Sequence, residues 1–278
     1  MQAIYEIMEF IFPYSWCDYT FMKNAFIAIL IIAPLFGLVG TMIVNNKMAF
    51  FSDALGHSAL TGIAIGVMLG IQDPVIAMIA FGIIFAYAIN KIKGSDNSSN
   101  DTIISVFSST SIALGLALLS KGGNFNKYSS YLIGDILSIN PTDLLTLIVV
   151  FVGIILFWIF FSNKLLLISI DSSLAKSKDI KVKLVENLFI IIIAILVMIS
   201  IKWVGILIIN SLLILPAAAS KNIAKNMRQY SILAVCFSII SGLSGLILSY
   251  YNGVATGPTI VIVAAIIYFI TLIFKGKR

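Results

Sequence analysis

Charged residues are scarce in this sequence. Only 11% of its 278 residues are Asp, Glu, Lys or Arg, whereas 60% are hydrophobic. A soluble domain carries roughly 25% charged residues, so this composition excludes a soluble domain. Apolar runs of about 18 residues or more recur along the chain and predict membrane-spanning helices. The formal charge of +6 does not indicate a nucleic-acid partner, because the basic residues lie in short loops between these runs.

The chain also lacks the signatures of several other protein classes. Its two cysteines, Cys17 and Cys236, form neither a metal-binding spacing nor a disulfide framework. It contains no Gly-x-x-x-x-Gly-Lys-Ser/Thr loop, so it cannot bind ATP in the usual phosphate-cradling way. Residues 1–17 lack the basic start and the cleavage site of a signal peptide. We interpret residues 1–20 as an interfacial segment whose short helix ends near Pro13.

The apolar runs predict an all-α polytopic membrane protein made of one domain over residues 1–278. About nine transmembrane helices are expected, or eight under a stricter count. Residues 91–101 read as a polar, flexible loop, and residues 128–140 as a short helix or re-entrant piece packed against protein. The predicted spans are roughly 21–44, 48–70, 74–91, 102–120, 142–161, 184–201, 203–220, 229–250 and 257–274.

The distribution of basic residues predicts the orientation. With the N-terminus outside and the C-terminus in the cytoplasm, 14 of the 18 basic residues lie inside. Lys23, Lys121, Lys127 and Lys202 are the four that fall outside. The longest inside segment, 162–183, contains a predicted short helix from Asp171 to Lys178, with Asp171 or Ser172 as its cap. An ordinary basic loop is the alternative.

Asp53 and the single histidine, His57, occur within the apolar run from Met48 to Gly70. Four residues apart on a helix, they lie on the same face. An ionisable residue within a span indicates a function by default, and one oxygen with one nitrogen donor suits a divalent transition metal. Two plainer interpretations remain open at this point: Asp53 as a helix N-cap, and His57 as a hydrogen-bonded interior histidine. Two ligands alone are also too few for a closed metal site.

A second polar pair, Asn210 and Ser211, lies in the middle of a predicted span, with Pro216 following. Such a pair either lines a pathway or makes an interhelical hydrogen bond. Small residues recur elsewhere in the spans, at Gly62 and Gly66, Ala217–Ala219, and Gly242 and Gly245, and predict close helix packing.

Four segments, taken together, resemble the permeases of ATP-binding-cassette importers for zinc and manganese. SDALGHSALTGIAIG (52–66) resembles the family's Asp-Ala-Leu-Ser-His-Ser motif, and YLIGDIL (131–137) its Leu-Phe-Gly-Asp/Ser-Ile-Leu element. WVGILIINSLLILPAAAS (203–220) resembles its Pro-Ala-Ala-Ala segment, and residues 241–269 its Thr-Gly-Pro closing section. The matches follow the family's order over nearly the whole chain after residue 20.

The resemblance implies a bacterial cytoplasmic-membrane permease without a bound cofactor, whose cargo is Zn²⁺, Mn²⁺ or Fe²⁺. It implies a second permease copy, two cytoplasmic ATPase subunits and an extracytoplasmic metal-binding protein. The family's pathway residues fall on Asp53 and His57. Its cytoplasmic coupling segment falls on the run that begins with Asp171, Ser172, Ser173, Leu174, Ala175 and Lys176.

This sequence departs from the family pattern at several positions. Gly56 stands for a usual Ser and Thr61 for a frequent Pro. In the coupling segment, Ser172 and Ser173 replace Pro and Glu, and Lys178-Asp179 replace Leu-Gly. The altered coupling segment concerns docking of the ATPase, whereas the Asp53–His57 pair is intact.

Two other classes of membrane protein fit parts of the sequence. In an ion-coupled secondary transporter, Asp53 and His57 would relay protons and no ATPase would be needed. The run Gly242-Leu243-Ser244-Gly245 matches the Gly-x-Ser-Gly of rhomboid-type intramembrane proteases, with His57 as the required base. The histidine, however, precedes the serine, which is the reverse of the rhomboid order.

Overall fold

The computed structural model describes residues 2–71, 73–93, 100–121 and 134–275, and the regular secondary structure in these ranges is entirely helical. It also contains two short 3₁₀ turns, Ser15–Asp18 and Ile136–Ser138. The α-helices in these ranges are α1 Gln2–Ile11, α2 Thr20–Asn45, α3 Ala49–Met68, α4 Pro74–Lys93, α5 Asn100–Lys121, α6 Pro141–Ile170, α7 Ser172–Ser177, α8 Val182–Val204, α9 Ile206–Ile223, α10 Met227–Asn252 and α11 Thr256–Lys275.

Eight helices in the described ranges are long and apolar enough to cross a membrane, which confirms an all-α polytopic membrane protein. They are α2 to α6, α8, α10 and α11. The remaining predicted span, 203–220, corresponds to α9, whose apolar stretch Ile208–Ile223 is shorter. Residues 94–99 of the predicted polar loop and 128–133 of the predicted re-entrant piece lie outside the described ranges. Residues 134–140 form only the second 3₁₀ turn.

The span predicted over 142–161 ends too early. Helix α6 continues to Ile170, a length of 30 residues. At 1.5 Å per residue it is about 45 Å long, whereas the hydrocarbon core of a bilayer is about 30 Å thick. The apolar run Leu165–Leu167 allows the helix to continue past the lysine at 164. Helix α6 is therefore longer than the hydrocarbon core is thick, and α7 follows directly after its end.

The chain divides into two compact units, each made of segments that are distant in sequence. The first unit comprises the chain up to Thr41, Asp135–Ile155 and everything from Trp203 onward. The second unit comprises Met42–Gly134 and Leu156–Lys202.

In the first unit, the predicted N-terminal helix is confirmed as α1 and is held against the start of α2. Tyr5 donates a hydrogen bond to the Asn24 amide oxygen, and the Lys23 ammonium pairs with Glu9. The side chain of Asn24 in turn donates to the carbonyl of Ile139 at 3.0 Å. These bonds hold α1 by its polar face.

The segment after α1 is packed through aromatic rings. Trp16 stacks on Phe26 with ring centroids 5.3 Å apart, and Phe12 contacts both rings. The neighbouring Cys17 is buried, and this burial raises the pKa of its thiol. Residues 12–18 are therefore fixed by apolar packing on α2.

Small residues allow close helix packing in the first unit, as predicted. A Cβ added to Gly245 would lie 2.6 Å from Cα of Ile260 on α11, and one added to Gly40 would lie 2.0 Å from the Leu213 carbonyl oxygen on α9. Both contacts are with backbone, which cannot move aside. In a membrane, where apolar burial gives little drive for association, such close packing is a main source of helix–helix affinity.

In the second unit, α3 packs against α4 and α5. A Cβ added to Gly62 would meet Met78 Cα at 2.9 Å, and one added to Gly115 would meet the Thr61 backbone nitrogen at 2.8 Å. At this crossing the Thr61 hydroxyl donates to the Ser111 carbonyl, and the Ser111 hydroxyl donates back to Thr61 Oγ1 at 3.1 Å. The family's usual proline could not make these bonds.

Among the described helices, four end in the same hydrogen-bonded C-terminal motif, which needs one residue with positive φ. Glycine occupies that position after α3 and α10, at Gly70 and Gly253, where it adopts the conformation without steric cost. After α2 and α7 the position is held by Lys47 with φ 55° and Asp179 with φ 58°. These two helix ends are therefore strained relative to the glycine-containing ones.

Candidate functional site

Asp53 and His57 lie on one face of α3, with His57 Nε2 3.5 Å from Asp53 Oδ2. The first residue of α3 is Ala49, and Met48 in the N-cap position makes no side-chain cap bond. Asp53 is thus the fifth residue of the helix, so the N-cap interpretation is wrong. The His57 side chain is 31% exposed, so it is not fully buried within this chain.

The rest of this part of α3 is buried. Between Phe51 and Ala64, every side chain except those of Asp53 and His57 is covered by protein. Asp53 is 44% exposed on its side chain. Within this stretch, the two groups able to bind a metal are therefore the two side chains that are not buried.

The pair is incomplete as a metal centre within one chain. Among the described residues, no group of three or more His, Cys, Asp and Glu side chains is close enough to hold an ion. One imidazole and one carboxylate supply two of the about four ligands that a closed zinc site uses.

The second predicted pair, Asn210 and Ser211, lies in the first unit on α9. Both side chains are half-buried and take part in polar interactions. Pro216 lies inside α9, which continues through it to Ile223. The two polar residues therefore sit in a regular helix rather than at a break in one.

The predicted short helix is confirmed as α7, and Asp171 is its cap. The Asp171 carboxylate accepts from the backbone nitrogens of Ser173 at 2.8 Å and Leu174 at 3.2 Å. Ala175 is buried and anchors the helix, while the residues from Asp171 to Lys176 are otherwise exposed. Beside α7 lies a groove lined in part by Lys164, Ile170 and Lys178.

The departure at Asp179 is explained by the end of α7. The Ile180 nitrogen donates to the Ala175 carbonyl at 3.2 Å, and the Asp179 nitrogen to the Lys176 carbonyl at 3.0 Å. Asp179 is the residue with positive φ in this motif, at the point where the family pattern has glycine. Aspartate tolerates this conformation better than most residues, so the turn is kept at some cost.

Comparison with known proteins agrees with this architecture. The family model described as the ABC 3 transport family matches residues 18–275. The chain belongs to this family.

Individual relatives cover almost the whole chain. The high-affinity zinc uptake system membrane protein ZnuB of Haemophilus influenzae is 34% identical over 250 residues, which are 90% of this chain and 94% of ZnuB. The manganese import system permease protein ScaB of Streptococcus gordonii is 30% identical over 261 residues, 94% of each chain. The structure of PsaBC from Streptococcus pneumoniae in complex with Fab superposes with a TM-score of 0.80 at 29% identity, covering 98% of this chain and 95% of the other.

The ABC 3 assignment identifies the protein as a membrane permease and favours neither the ion-coupled secondary transporter nor the rhomboid-type protease. The local structure also does not favour the protease, because the Ser244 hydroxyl donates its hydrogen bond to the Ile240 carbonyl of its own helix, α10.

Sequence reasoning missed a cavity of about 80 Å³ in the second unit. Asn46, Asn90 and Glu186 contribute to its wall. Each lies at an end of an apolar run, where a polar residue is ordinary, so the sequence carried no signal that the three converge.

Proposed function

We propose that this chain is the permease subunit of an ATP-driven importer, and that divalent transition metal ions pass along the face of α3 that bears Asp53 and His57. The whole of residues 1–278 would act as one permease domain. The observation that carries the proposal is the exposure of this pair on an otherwise buried stretch of helix.

The cost of placing charge in a membrane supports this assignment. Asp53 and His57 lie about 6 and 12 Å along α3 from its first residue. An aspartate at the centre of a span costs about 3 kcal/mol when it faces lipid, so such groups face water or other protein. A second copy of the chain facing the first would cover both pairs and would supply up to four ligands for one passing ion.

The chemistry of the donors fits the cargo of the relatives. Imidazole nitrogen and carboxylate oxygen, without thiolate, suit Zn²⁺, Mn²⁺ and Fe²⁺. A transport site must also release its ion, which favours an open and incomplete ligand set over a closed one. Zinc and manganese, the ions named for ZnuB and ScaB, both fall within this range. Asn210 and Ser211 are assigned as further polar residues along the pathway.

Helix α7 is assigned as the contact with a cytoplasmic ATPase. It is short, capped and largely exposed, and it directly follows α6, which is longer than the hydrocarbon core is thick. With α9 counted as a ninth span, this assignment corresponds to an N-terminus outside and a C-terminus in the cytoplasm, in agreement with the lysine distribution. An extracytoplasmic binding protein would deliver the metal to the opposite end.

Metal uptake by cells expressing the complete transporter tests the pathway. Asp53→Ala and His57→Ala are each expected to lower uptake of the cargo metal by about tenfold or more, because each removes a ligand. Asp73→Asn is the control, since Asp73 is an exposed carboxylate that caps α4 through the Val75 nitrogen. Membrane insertion is checked for every variant. Wild-type uptake of Zn²⁺, Mn²⁺ and Fe²⁺ by both alanine variants would refute the pathway.

A separate experiment tests the coupling segment. Lys176→Glu reverses an exposed charge on α7 and is expected to reduce the amount of ATPase that co-purifies with the permease, together with uptake. Lys121→Glu, at the end of α5, serves as the matched charge reversal. Unchanged ATPase recovery and unchanged uptake in Lys176→Glu would remove α7 from the docking surface.

A further inference from the structure

The cavity in the second unit is lined by oxygen-bearing side chains from three parts of the chain. Asn46 follows the end of α2, Asn90 lies in the last turn of α4, and Glu186 lies in the second turn of α8. Met48 and apolar side chains of α6 and α8, including Ile168 and Phe189, form the remainder of the wall. In such surroundings an oxygen donor attracts a cation more strongly than it would in open water.

One of the amides is held in a defined orientation. Asn90 donates from Nδ2 to the Oδ1 atom of Asn187 at 2.7 Å. Its nitrogen is thereby engaged with α8, and its carbonyl oxygen is the acceptor end of the group. Together with the Glu186 carboxylate and the Asn46 amide, the cavity offers the oxygen donors that hard divalent cations accept. Its volume of about 80 Å³ accommodates two or three waters at about 30 Å³ each, or an ion that keeps part of its water shell.

We propose that this cavity is a weak holding site for the transported divalent cation on the cytoplasmic side of the Asp53–His57 pair, with Glu186 as its charged ligand. The inference rests on the proposed function. One carboxylate and neutral amides bind far less tightly than a set containing nitrogen or several charges. Lys47 and Lys91, which adjoin two of the ligands in sequence, are exposed and do not line the cavity. Weak binding is what an exit step requires, since the ion must leave.

The walls of the cavity connect it to both functional segments. Met48, which lines it, directly precedes α3 and is five residues from Asp53. The α6 and α8 residues in the wall belong to the two helices that α7 joins. A displacement of α7 would therefore be transmitted through α6 and α8 to the cavity, and would change the spacing of its ligands when the ATPase moves.

Binding of Mn²⁺ alone to the full-length chain in lipid nanodiscs tests the site. The loss of the free Mn²⁺ electron paramagnetic resonance signal measures binding. The Asp53→Ala, His57→Ala double variant removes the pair and is the background for all comparisons. In this background we expect residual saturable binding that Glu186→Gln weakens by at least about tenfold, because the charged ligand is lost. Asn46→Ala is expected to weaken it less, and Glu6→Gln, in exposed α1, is expected to leave it unchanged.

The outcomes separate this proposal from the pathway itself. The cavity site is overturned if Glu186→Gln and Glu6→Gln, each made in the double variant, bind Mn²⁺ with equal affinity. It is also overturned if the double variant shows no residual binding. The pathway is judged by a different comparison, between wild type and the double variant, which leaves Glu186 in place. Circular dichroism of every variant in nanodiscs verifies that the helices are retained.

Discussion

The strained end of α7 yields a prediction whose magnitude follows from its geometry. Asp179 holds φ at 58° in the position where glycine is favoured. The left-handed conformation costs an ordinary residue about 1–2 kcal/mol, and aspartate lies at the low end. Glycine removes this cost but loses about 0.5–1 kcal/mol through its greater freedom in the opened segment. Asp179→Gly is therefore expected to stabilise the end of α7 by up to about 0.5 kcal/mol, and Asp179→Ala to destabilise it by about 0.5–1 kcal/mol.

Hydrogen exchange of the peptide containing α7, with the protein in nanodiscs, measures these differences. Opening of the last turn exposes the amides of Asp179 and Ile180, which bond to Lys176 and Ala175. A change of about 0.5–1 kcal/mol alters the exchange rate by roughly two- to fivefold. The expected order of exchange rates is Ala fastest, then Asp, then Gly. Gly70→Ala is the control, because it introduces the same strain at the end of α3 and should accelerate exchange only there. Equal rates for Gly and Ala at position 179 would refute the strain argument.

Three further predictions concern packing and exposure. Thr61→Val removes the hydrogen bonds to α5 and is expected to lower thermal stability in detergent by roughly 0.5–1 kcal/mol, with no fall if the bonds contribute nothing. Gly245→Ala forces a Cβ against the backbone of α11 and should destabilise by about 1–3 kcal/mol, whereas Gly153→Ala, with open space around it, should not. In a Cys236→Ser variant, the buried Cys17 should resist N-ethylmaleimide in the folded protein and react after unfolding in SDS. Because burial raises the pKa of the Cys17 thiol, labelling of the folded protein should increase only above the usual pH range of thiol ionisation. Rapid labelling of the folded protein at pH 8 would contradict the burial.

Much of the fold could be predicted because membrane helices are encoded locally. Each span is a run of apolar residues long enough to cross the hydrocarbon core, so all nine predicted runs correspond to helices. The boundaries were less accurate where apolar residues continue past a charge, as at Lys164 in α6. The Asp171 cap was also predictable, since capping depends on a side chain and the backbone two or three residues on.

The site was predictable in part. Periodicity alone places Asp53 and His57 on one face of a helix, four residues apart. The sequence could not show that these two side chains are open while the others from Phe51 to Ala64 are covered, because that depends on how α4 and α5 pack against α3. For the same reason the sequence left the N-cap and interior-histidine interpretations open, and the helix start at Ala49 was needed to exclude the first.

The sequence by itself determined the class of protein, the number of apolar runs and the identity of the candidate ligands, because these depend on composition and on spacing along one helix. Only the tertiary structure decided which side chains are exposed, that Thr61 bonds to Ser111, and that Asn46, Asn90 and Glu186 share one cavity. The residues that these contacts join are between 44 positions apart, for Asn46 and Asn90, and 140 positions apart, for Asn46 and Glu186. Contacts at such separations are set by helix packing, and no local pattern in the chain records them.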